Sequence, residues 1–322
     1  MRAQFIAIQT AVLFCTVPAL GWDVPGHIIV AQVAHSRLNP KARAKLEQLA
    51  TNLVFHTHRY NAGNIAAWAD NIKHAGTNVP HHGHFRGWHF IDLGCEPNDP
   101  DLLSNPPTFG QVNGDVVTAL KRCVAVVKGH SDQFIPDEAV AVGLITHLVG
   151  DIHQPLHCTT HYFKQQIVEP GHASDPPGHN AGGNAIKISN FDNEFPNLHQ
   201  FWDTAYRNKR KFFGGIVTDP SANFDTFQVT PNDPKVSVWV QTVLQSAPPA
   251  SVSLKADFEA WAKETHSLGC TEVFGKLPGS VETTPRSLSG AYVKNARELA
   301  RARLCLAGFR LAALLNELFP QQ

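Results

Sequence analysis

The stretch THLVGDIHQPLH, residues 146–157, places ionisable side chains at helical spacing within an apolar segment. His147 and Asp151 are four residues apart, so on a helix their side chains lie on the same face. Pro155 ends the helical pattern, and His157 follows two residues later. A histidine or a carboxylate is costly to bury without a partner. The stretch therefore predicts a buried helix that ends at a polar site.

A second stretch, NLHQFWD at residues 197–203, repeats this spacing with His199 and Asp203. Either pair alone is compatible with a surface hydrogen bond, whereas two such pairs on separate apolar helices favour an inward-facing metal site. The chain has 18 histidines and one methionine, and histidine is the commonest metal ligand. His153 lies six residues after His147, on another helix face. We expect it to support the site or to face solvent.

Helical patterns also dominate the remainder of the chain. Strand-like segments are restricted to residues 88–91 and 185–188, and residues 159–184 are rich in Gly, Pro and His, as is typical of a surface loop. We therefore predict a mainly α, single-domain, multi-helix fold with a few short strands and long loops. The predicted helices cover residues 25–37, 40–53, 64–74, 113–128, 139–149, 198–210, 236–244, 255–268 and 289–319.

Residues 1–21 have the features of a secretory signal peptide. An arginine follows the initiator methionine, residues 5–17 are mostly apolar, and small residues occupy the two positions that a signal peptidase reads. Cleavage after Gly21 would leave Trp22 with a free amine and a single domain over residues 22–322. No later apolar run approaches the roughly 20 residues that a membrane span needs. We expect a secreted or periplasmic protein without a membrane anchor.

Charge limits the ways in which this protein can bind nucleic acid. The chain has 27 basic and 27 acidic residues, so its formal charge is zero. This balance excludes a generally basic binding surface. A protein of this charge that acts on phosphates needs a local source of positive charge, such as bound metal ions.

Cysteine content gives a weaker indication. Five cysteines remain after the predicted signal peptide, and in an oxidising compartment this odd number predicts up to two disulfides and one free thiol. The pairing is left open. The five are Cys95, Cys123, Cys158, Cys270 and Cys305.

Six motifs together resemble one protein family. They are WDVPGH (22–27), IAAWAD (65–70), WHFID (88–92), THLVGDIHQPLH (146–157), GGNAI (182–186) and NLHQFWD (197–203). In order and in residue types, they resemble the zinc-dependent class I nucleases, the secreted single-strand-specific nucleases of the mung bean nuclease type. This family is distantly related to zinc phospholipase C. The motifs span almost the whole predicted mature chain.

The resemblance implies a cofactor of three zinc ions and nine ligand positions. In the family, the mature N-terminal Trp binds zinc through its own amine and carbonyl, which explains why a Trp would follow the cleavage site. Nitrogen and carboxylate ligands at open sites suit zinc. The resemblance implies that Trp22 and His27 hold one zinc, that Asp70, His89 and His147 hold a second, that Asp151 bridges these two, and that His157, His199 and Asp203 hold the third.

The resemblance also implies catalytic roles around the zinc ions, with Asp70 and Asp151 as ligands at the catalytic pair. Lys73 occupies a position where the family often has Arg, and it would steady the transition state without the bidentate geometry of a guanidinium. Asn184 resembles a family asparagine that contacts the scissile phosphate, and Gly183 would allow the backbone to approach closely. The alternative for these two residues is a simple glycine-rich turn.

Base recognition is implied for two further residues. Phe90 would stack on a base, which favours single strands because duplex bases are already stacked. Asp92 would accept a hydrogen bond from the base edge, or it would instead support a metal ligand. Cys158 departs from the common pattern, which has Asp after Leu-His, and its role is left open between metal binding, a disulfide and none.

The resemblance implies a secreted phosphodiesterase that cleaves single-stranded RNA and DNA to 5′-phosphorylated products and removes 3′ phosphates from nucleotides. A zinc-bridging hydroxide would attack phosphorus, because zinc lowers the pKa of bound water to roughly 7. We expect a monomer. The alternatives are a zinc-dependent phospholipase C, whose metal ligands would look almost the same, and a non-catalytic exported zinc-binding protein.

Overall fold

The first and last long helices in the described part of the chain, Val24–His35 and Gly290–Leu318, pack against each other. The contact is close, because a Cβ at Gly308 would lie 2.4 Å from Val33 Cγ1. Only glycine fits there without displacement of the neighbouring helix. The computed structural model describes residues 21–73, 79–96, 108–109, 114–161, 180–189, 197–205, 212–213, 216–217, 228–277 and 286–321.

Helices form most of the described structure, which confirms the prediction of a mainly α, single-domain fold. Each of the nine predicted helices has a counterpart. The α-helices in the described residues are α1 (Val24–His35), α2 (Pro40–Ala50), α3 (Trp68–Ile72), α4 (His82–Phe85), α5 (Val116–Val127), α6 (Glu138–Asp151), α7 (Leu198–Asp203), α8 (Pro234–Leu244), α9 (Phe258–Leu268) and α10 (Gly290–Leu318).

Helix α6 lies at the centre of the protein. Every residue from Ala139 to Asp151 is buried, and α1, α2, α3, α5 and α10 pack around the helix. A helix that is apolar on all sides requires such surroundings. The carboxylate of Asp137 caps the N-terminus by accepting a hydrogen bond from the Val140 N–H, 2.9 Å away. The C-terminal end of α6, with Asp151, is therefore inside the protein.

Several helix boundaries differ from the predictions. The helix predicted at 64–74 begins as a 3-10 turn, Ile65–Ala67, before α3. Helix α9 starts at Phe258, after the capping residue Asp257, and continues beyond Leu268 as a π-helical turn, Gly269–Phe274. Helix α7 ends at Asp203, and residues 206–210 lie outside the described residues. The short helix α4 was not predicted.

The strand predicted at 88–91 is wrong. A 3-10 turn, Arg86–His89, occupies the first half of this segment, and the strand β3 begins only after the segment, at Asp92–Cys95. The turn has a packing reason, since it brings the Trp88 ring to 4.9 Å from the ring of Phe85, where both are fully buried.

Strands are short throughout the described residues. Strand β3 pairs antiparallel with β4 (Thr108–Phe109) and parallel with β5 (Thr160–His161). Two further antiparallel pairs stand alone, β1 (Val54–Phe55) with β2 (His58–Arg59) and β6 (Phe212–Phe213) with β7 (Ile216–Val217). The segment predicted at 185–188 forms only isolated bridges, Lys187 with Asn197 and Ile188 with Arg286. Most of the loop predicted at 159–184 lies outside the described residues.

One disulfide is present among the described cysteines, between Cys95 of β3 and Cys270 of the π-helical turn. Cys123, Cys158 and Cys305 are free, so the expectation of a single free thiol was wrong. The three thiols are buried, and burial raises the pKa of each. They pack in the core as small apolar side chains.

None of the helices in the described part of the chain combines the length and apolarity that a bilayer crossing requires. Residues 1–20 of the predicted signal peptide lie outside the described residues, and the description begins at Gly21.

Candidate metal centre

The last two turns of α6 supply two residues of a buried polar cluster. His147 and Asp151 are both completely buried, and the His147 Nε2 atom lies 3.1 Å from Asp151 Oδ2. They share one face of the helix, as their spacing of four residues predicts. Among the described residues, three groups of His and Asp side chains are close enough to hold a metal ion, and two of the groups contain His147.

Three other elements bring side chains to this face of α6. His27 comes from α1, Asp70 from α3, and His89 from the end of the 3-10 turn before β3. The Nε2 atom of His27 lies 3.3 Å from Asp151 Oδ1, and His89 Nδ1 lies 2.9 Å from Asp151 Oδ2. Asp70 Oδ1 lies 3.5 Å from His147 Nε2. The two carboxylate oxygens of Asp151 thus face different histidines.

A separate group consists of His157, His199 and Asp203. His157 ends a 3-10 turn, Pro155–His157, and the other two lie on α7, four residues apart, with His199 Nε2 at 3.6 Å from Asp203 Oδ1. Asp151 connects this group to the first, since its Oδ1 is 3.4 Å from His157 Nδ1. All nine positions predicted as ligands are buried, and the eight His and Asp positions meet in these groups.

Backbone carbonyls fix the tautomers of three histidines. The Nδ1 atoms of His147, His157 and His199 lie 2.6, 2.7 and 2.7 Å from carbonyl oxygens of Ala66, His89 and Gly182, respectively. Carbonyl oxygens only accept hydrogen bonds, so Nδ1 carries the proton in each ring. The Nε2 atoms of His147 and His199 lie 3.1 and 3.6 Å from carboxylate oxygens of Asp151 and Asp203, respectively. This is the arrangement in which a histidine binds a metal through one nitrogen and is oriented through the other.

Several buried polar atoms in the cluster make no hydrogen bond. They include Nε2 of His27, His157 and His199 together with Oδ2 of Asp70 and Oδ1 of Asp151. Buried polar groups are normally satisfied, and nitrogen lone pairs beside carboxylate oxygens suit zinc. The residues therefore fit a group of divalent cations.

The acids differ in their electrostatic surroundings. Burial alone would raise the pKa of Asp70 and Asp151, but the charges around them outweigh it, with Lys73 the largest influence on Asp70 and His147 on Asp151. Both stay ionised. Burial raises the pKa of Asp203 well above its usual value, only partly opposed by the hydrogen bond from Gln154. A cation beside Asp203 would favour its ionised form.

Burial also keeps most of the histidines neutral. It lowers the pKa of His89 to about 4, with Lys73 adding to the effect, and that of His199 to about 3, with His157 adding to it. His147 is the exception, because Asp151 and Asp70 outweigh burial and raise its pKa. Neutral rings are the form that binds metal.

The chain immediately before Trp22 passes over this cluster. A Cβ on Gly21 would lie 1.7 Å from Asp151 Oδ1 and 3.0 Å from His157 Cε1. Trp22 is fully buried, and its indole N–H donates to the carbonyl oxygen of Gly150, 3.0 Å away. The main chain at residues 21 and 22 therefore lies beside Asp151 and His157.

The turn formed by Gly182, Gly183 and Asn184 contacts the group of His157, His199 and Asp203 through its backbone. Gly182 and Gly183 have φ of 58° and 84°, and a Cβ on Gly182 would lie 2.6 Å from the Leu156 carbonyl oxygen. This turn positions the carbonyl that orients His199. Asn184 is partly buried, and its Nδ2 donates to the Ala181 carbonyl oxygen, 2.8 Å away. The glycines thus serve the turn and the histidine together.

Lys73 is buried beside Asp70, with 2.6 Å between Nζ and Oδ1. Phe90 is partly buried and Asp92 is buried at the start of β3, one and three residues after His89. Each of these three residues is predicted to act on substrate, and each lies within three residues of a proposed ligand in the chain.

Sequence reasoning missed Gln154, whose Nε2 donates to Asp203 Oδ1 at 2.7 Å. Its position between Asp151 and His157 was the only signal. His153 is completely buried and its Nε2 accepts from Arg310 at 2.9 Å, so the solvent-facing alternative for this residue is wrong.

A mainly helical fold with buried His and Asp groups at the ends of its helices defines a class of helical metalloprotein. Residues 22–320 match the family model described as S1/P1 Nuclease, and the chain belongs to this family. The family is zinc-dependent, and its members are nucleases, which makes the protein a hydrolase of nucleic acid.

Three relatives match over nearly the full chain at low identity. Nuclease S1 of Aspergillus oryzae is 24% identical over 330 residues, 99% of both chains. Nuclease P1 of Penicillium citrinum is 22% identical and covers 92% of this chain and 97% of its own. Endonuclease 2 of Arabidopsis thaliana is 23% identical over 99% of this chain and 98% of its own.

Proposed function

We propose that this protein is an exported, monomeric, zinc-dependent phosphodiesterase that cleaves single-stranded RNA and DNA to 5′-phosphorylated products and also acts on 3′-nucleotides. One observation carries the proposal. His147, His157 and His199 each donate through Nδ1 to a main-chain carbonyl oxygen, and the Nε2 atoms of His147 and His199 lie beside buried carboxylates. Relatives named as nucleases and endonucleases support nucleic acid as the substrate.

The proposed ligand assignment divides the cluster into three zinc sites. Asp151 is proposed as the bridge because its Oδ1 faces His27 and its Oδ2 faces His89 and His147. The passage of residue 21 over Asp151 supports Trp22 as a ligand through its amine after cleavage. The sites are Trp22 and His27 with Asp151; Asp70, His89 and His147 with Asp151; and His157, His199 and Asp203.

Bound zinc would supply an acidified water and neutralise charge on the phosphate. The chain's own residues would orient the substrate around it. Lys73 is proposed to hold positive charge beside Asp70, 2.6 Å away. Asn184 is proposed to contact the scissile phosphate from a turn that already touches Leu156 and His199. Concentrated metal charge would let a protein with no net charge bind a polyanion.

Phe90 and Asp92 are proposed to bind a base. Both follow His89 in the chain, so a base held by them would place its 3′ phosphate near the cluster. An aromatic face takes any unstacked base, which favours single strands.

The test uses purified protein that begins at Trp22, with zinc counted by elemental analysis and activity measured on single-stranded DNA, RNA, 3′-AMP and phosphatidylcholine. We expect about three zinc ions, and cleavage of the nucleic acids and of 3′-AMP that a chelator abolishes. Cleavage of the lipid alone would replace the proposal with a phospholipase C. Bound zinc without any cleavage would indicate a zinc-binding protein that is not an enzyme.

A further inference from the structure

Two arginines of α10 are buried behind the cluster, although a buried charge is costly unless it is paired. Arg303 and Arg310 are each 3% exposed. They are seven residues apart, which places them two turns apart on the same face of the helix. Both contact Glu264 of α9, a side chain that is 38% exposed and so reaches the surface.

The arginines hold His153 on two sides. Nε of Arg303 donates to the His153 carbonyl oxygen at 3.1 Å, and Nη1 of Arg310 donates to His153 Nε2 at 2.9 Å. The other ring nitrogen, Nδ1, donates to the carbonyl oxygen of Val149 at 2.7 Å. Main chain and side chain of this residue are thus both fixed.

Thr265 connects Arg303 to Ile152, the residue before His153. Its hydroxyl accepts from Arg303 Nη2 at 2.5 Å and donates to the carbonyl oxygen of Ile152 at 2.6 Å. The guanidinium therefore sets the direction in which the hydroxyl donates. The carbonyls of Ile152 and His153 follow directly after Asp151, where α6 ends and main-chain acceptors lose their helical partners.

We propose that Arg303, Arg310, Glu264 and Thr265 form a positioning clamp for the chain between Asp151 and His157. The proposal rests on the proposed zinc sites, because this segment begins with the bridging ligand and ends with a ligand of the third site. The clamp fixes the main chain that separates these two residues. Groups behind metal ligands orient them and thereby set metal affinity.

The geometry of the clamp requires arginine at position 303. One guanidinium donates to the His153 carbonyl, to Glu264 and to Thr265 from three different nitrogens. A lysine has one nitrogen on a flexible stem and cannot reach three acceptors in a planar arrangement. Two cations and one carboxylate also leave positive charge at the C-terminal end of α6, where the helix dipole favours it.

The test compares Thr265→Val with Thr265→Ser, and adds Arg303→Lys. Valine has nearly the shape of threonine but lacks the hydroxyl, whereas serine retains the donor. Zinc affinity is measured by competition with a chelator, and the geometry of the sites by the visible absorption of the cobalt-substituted protein. Leu315→Ala is the control for lost stability, because Leu315 is buried on α10 twelve residues beyond Arg303, about 18 Å along the helix.

We expect Thr265→Val and Arg303→Lys to weaken zinc binding by about tenfold or more and to change the cobalt spectrum. Thr265→Ser and Leu315→Ala should keep both close to wild type. The clamp is overturned if Thr265→Val and Arg303→Lys bind zinc as the wild type does, or if Leu315→Ala with a matched Tm weakens binding equally. A wild-type protein that binds zinc but cleaves no nucleic acid defeats the proposed function only, since the affinities still test the clamp. A wild type without zinc defeats both.

Discussion

His157 donates through Nδ1 to the main-chain carbonyl oxygen of His89, 2.7 Å away and 68 residues earlier in the chain. The ring of His89 faces Asp151 Oδ2, and Oδ1 of the same carboxylate lies 3.4 Å from His157 Nδ1. His157, a proposed ligand of the third zinc site, is therefore oriented by His89, a proposed ligand of the second site. Changes at one site should be detectable at its neighbours.

Replacement of His147 should affect more than one zinc ion. His147→Ala removes the ring that lies 3.1 Å from Asp151 Oδ2, which leaves His89 as the only proposed ligand still facing that oxygen of the bridging carboxylate. We expect loss of more than one zinc by elemental analysis and loss of nuclease activity beyond the roughly hundredfold that changes behind a ligand produce. His130→Ala, at an exposed histidine, is the control. Full activity of His147→Ala would contradict the site assignment.

Gln154 should control the third zinc site selectively. In Gln154→Glu the new carboxylate can still accept from the Leu156 N–H, but it repels Asp203, to which the amide now donates at 2.7 Å. We expect activity to fall about tenfold to a hundredfold and zinc content to fall by one ion. Gln48→Glu, at an exposed glutamine, makes the same charge change away from the site. Unchanged zinc content in Gln154→Glu would show that Asp203 is not a ligand.

Two glycines allow backbone strain to be separated from a steric effect on the site. Both Gly182 and Gly129 have positive φ, 58° and 92°, but a Cβ would meet the Leu156 carbonyl oxygen at 2.6 Å only in the first case, and open space in the second. The left-handed backbone alone should cost each alanine variant about 1 to 2 kcal/mol in free energy of unfolding. Only Gly182→Ala should also weaken zinc binding, because His199 Nδ1 lies 3.3 Å from the new Cβ. Equal zinc affinities in the two variants would contradict this.

The sequence was sufficient for the parts of the structure that depend on local pattern. Helix α6 is apolar on all sides and is capped by Asp137, so its type and its approximate bounds could be predicted. The pairs His147 with Asp151 and His199 with Asp203 lie within single helices, where spacing determines which side chains share a face.

Contacts between distant segments could not be predicted in this way. The 3-10 turn at Arg86–His89 depends on the packing of Trp88 against Phe85, and its aromatic composition resembles that of a strand. The leucines of the predicted helix at 289–319 indicate that this helix packs in the hydrophobic core. Nothing local indicates that Arg303 and Arg310 are buried within it, because their partners come from α9 and from the end of α6.

Full zinc content should require a chain that begins at Trp22. Residue 21 lies over the cluster, with its Cβ position 1.7 Å from Asp151 Oδ1, so a preceding residue blocks the amine and occupies space beside the acids. We expect protein that retains Gly21 to bind less zinc than protein that starts at Trp22, by elemental analysis of both. A glycine added after the C-terminal residue should have no effect. Equal zinc content in the two N-terminal forms would remove Trp22 from the ligand set.

Acid should destabilise the zinc-free protein well above the range in which carboxylates titrate. Burial is the main cause that lowers the pKa of His89 and His161 to about 4 and that of His199 to about 3, while in the unfolded chain these rings titrate near about 6.5. The unfolded state then binds more protons below pH 6.5, so stability is complete above that pH and is lost as pH falls towards 4. Asp203 and His147 have raised pKa values and act in the opposite direction, but the histidines with lowered pKa outnumber them. Other histidines with lowered pKa are His27, His153 and His157.

The measurement is the free energy of unfolding in denaturant, with a chelator present, at several pH values between 7.5 and 4.5 (chosen to span the roughly 6.5 of free histidine). His161→Gln removes one of these titrating rings outside the proposed ligand set. This substitution should reduce the slope of the free energy of unfolding against pH by up to about 1.4 kcal/mol per pH unit, which corresponds to one proton. Stability that stays level or rises as the pH falls through this range would mean that the buried rings are already protonated in the folded protein, and that they are not available as neutral ligands.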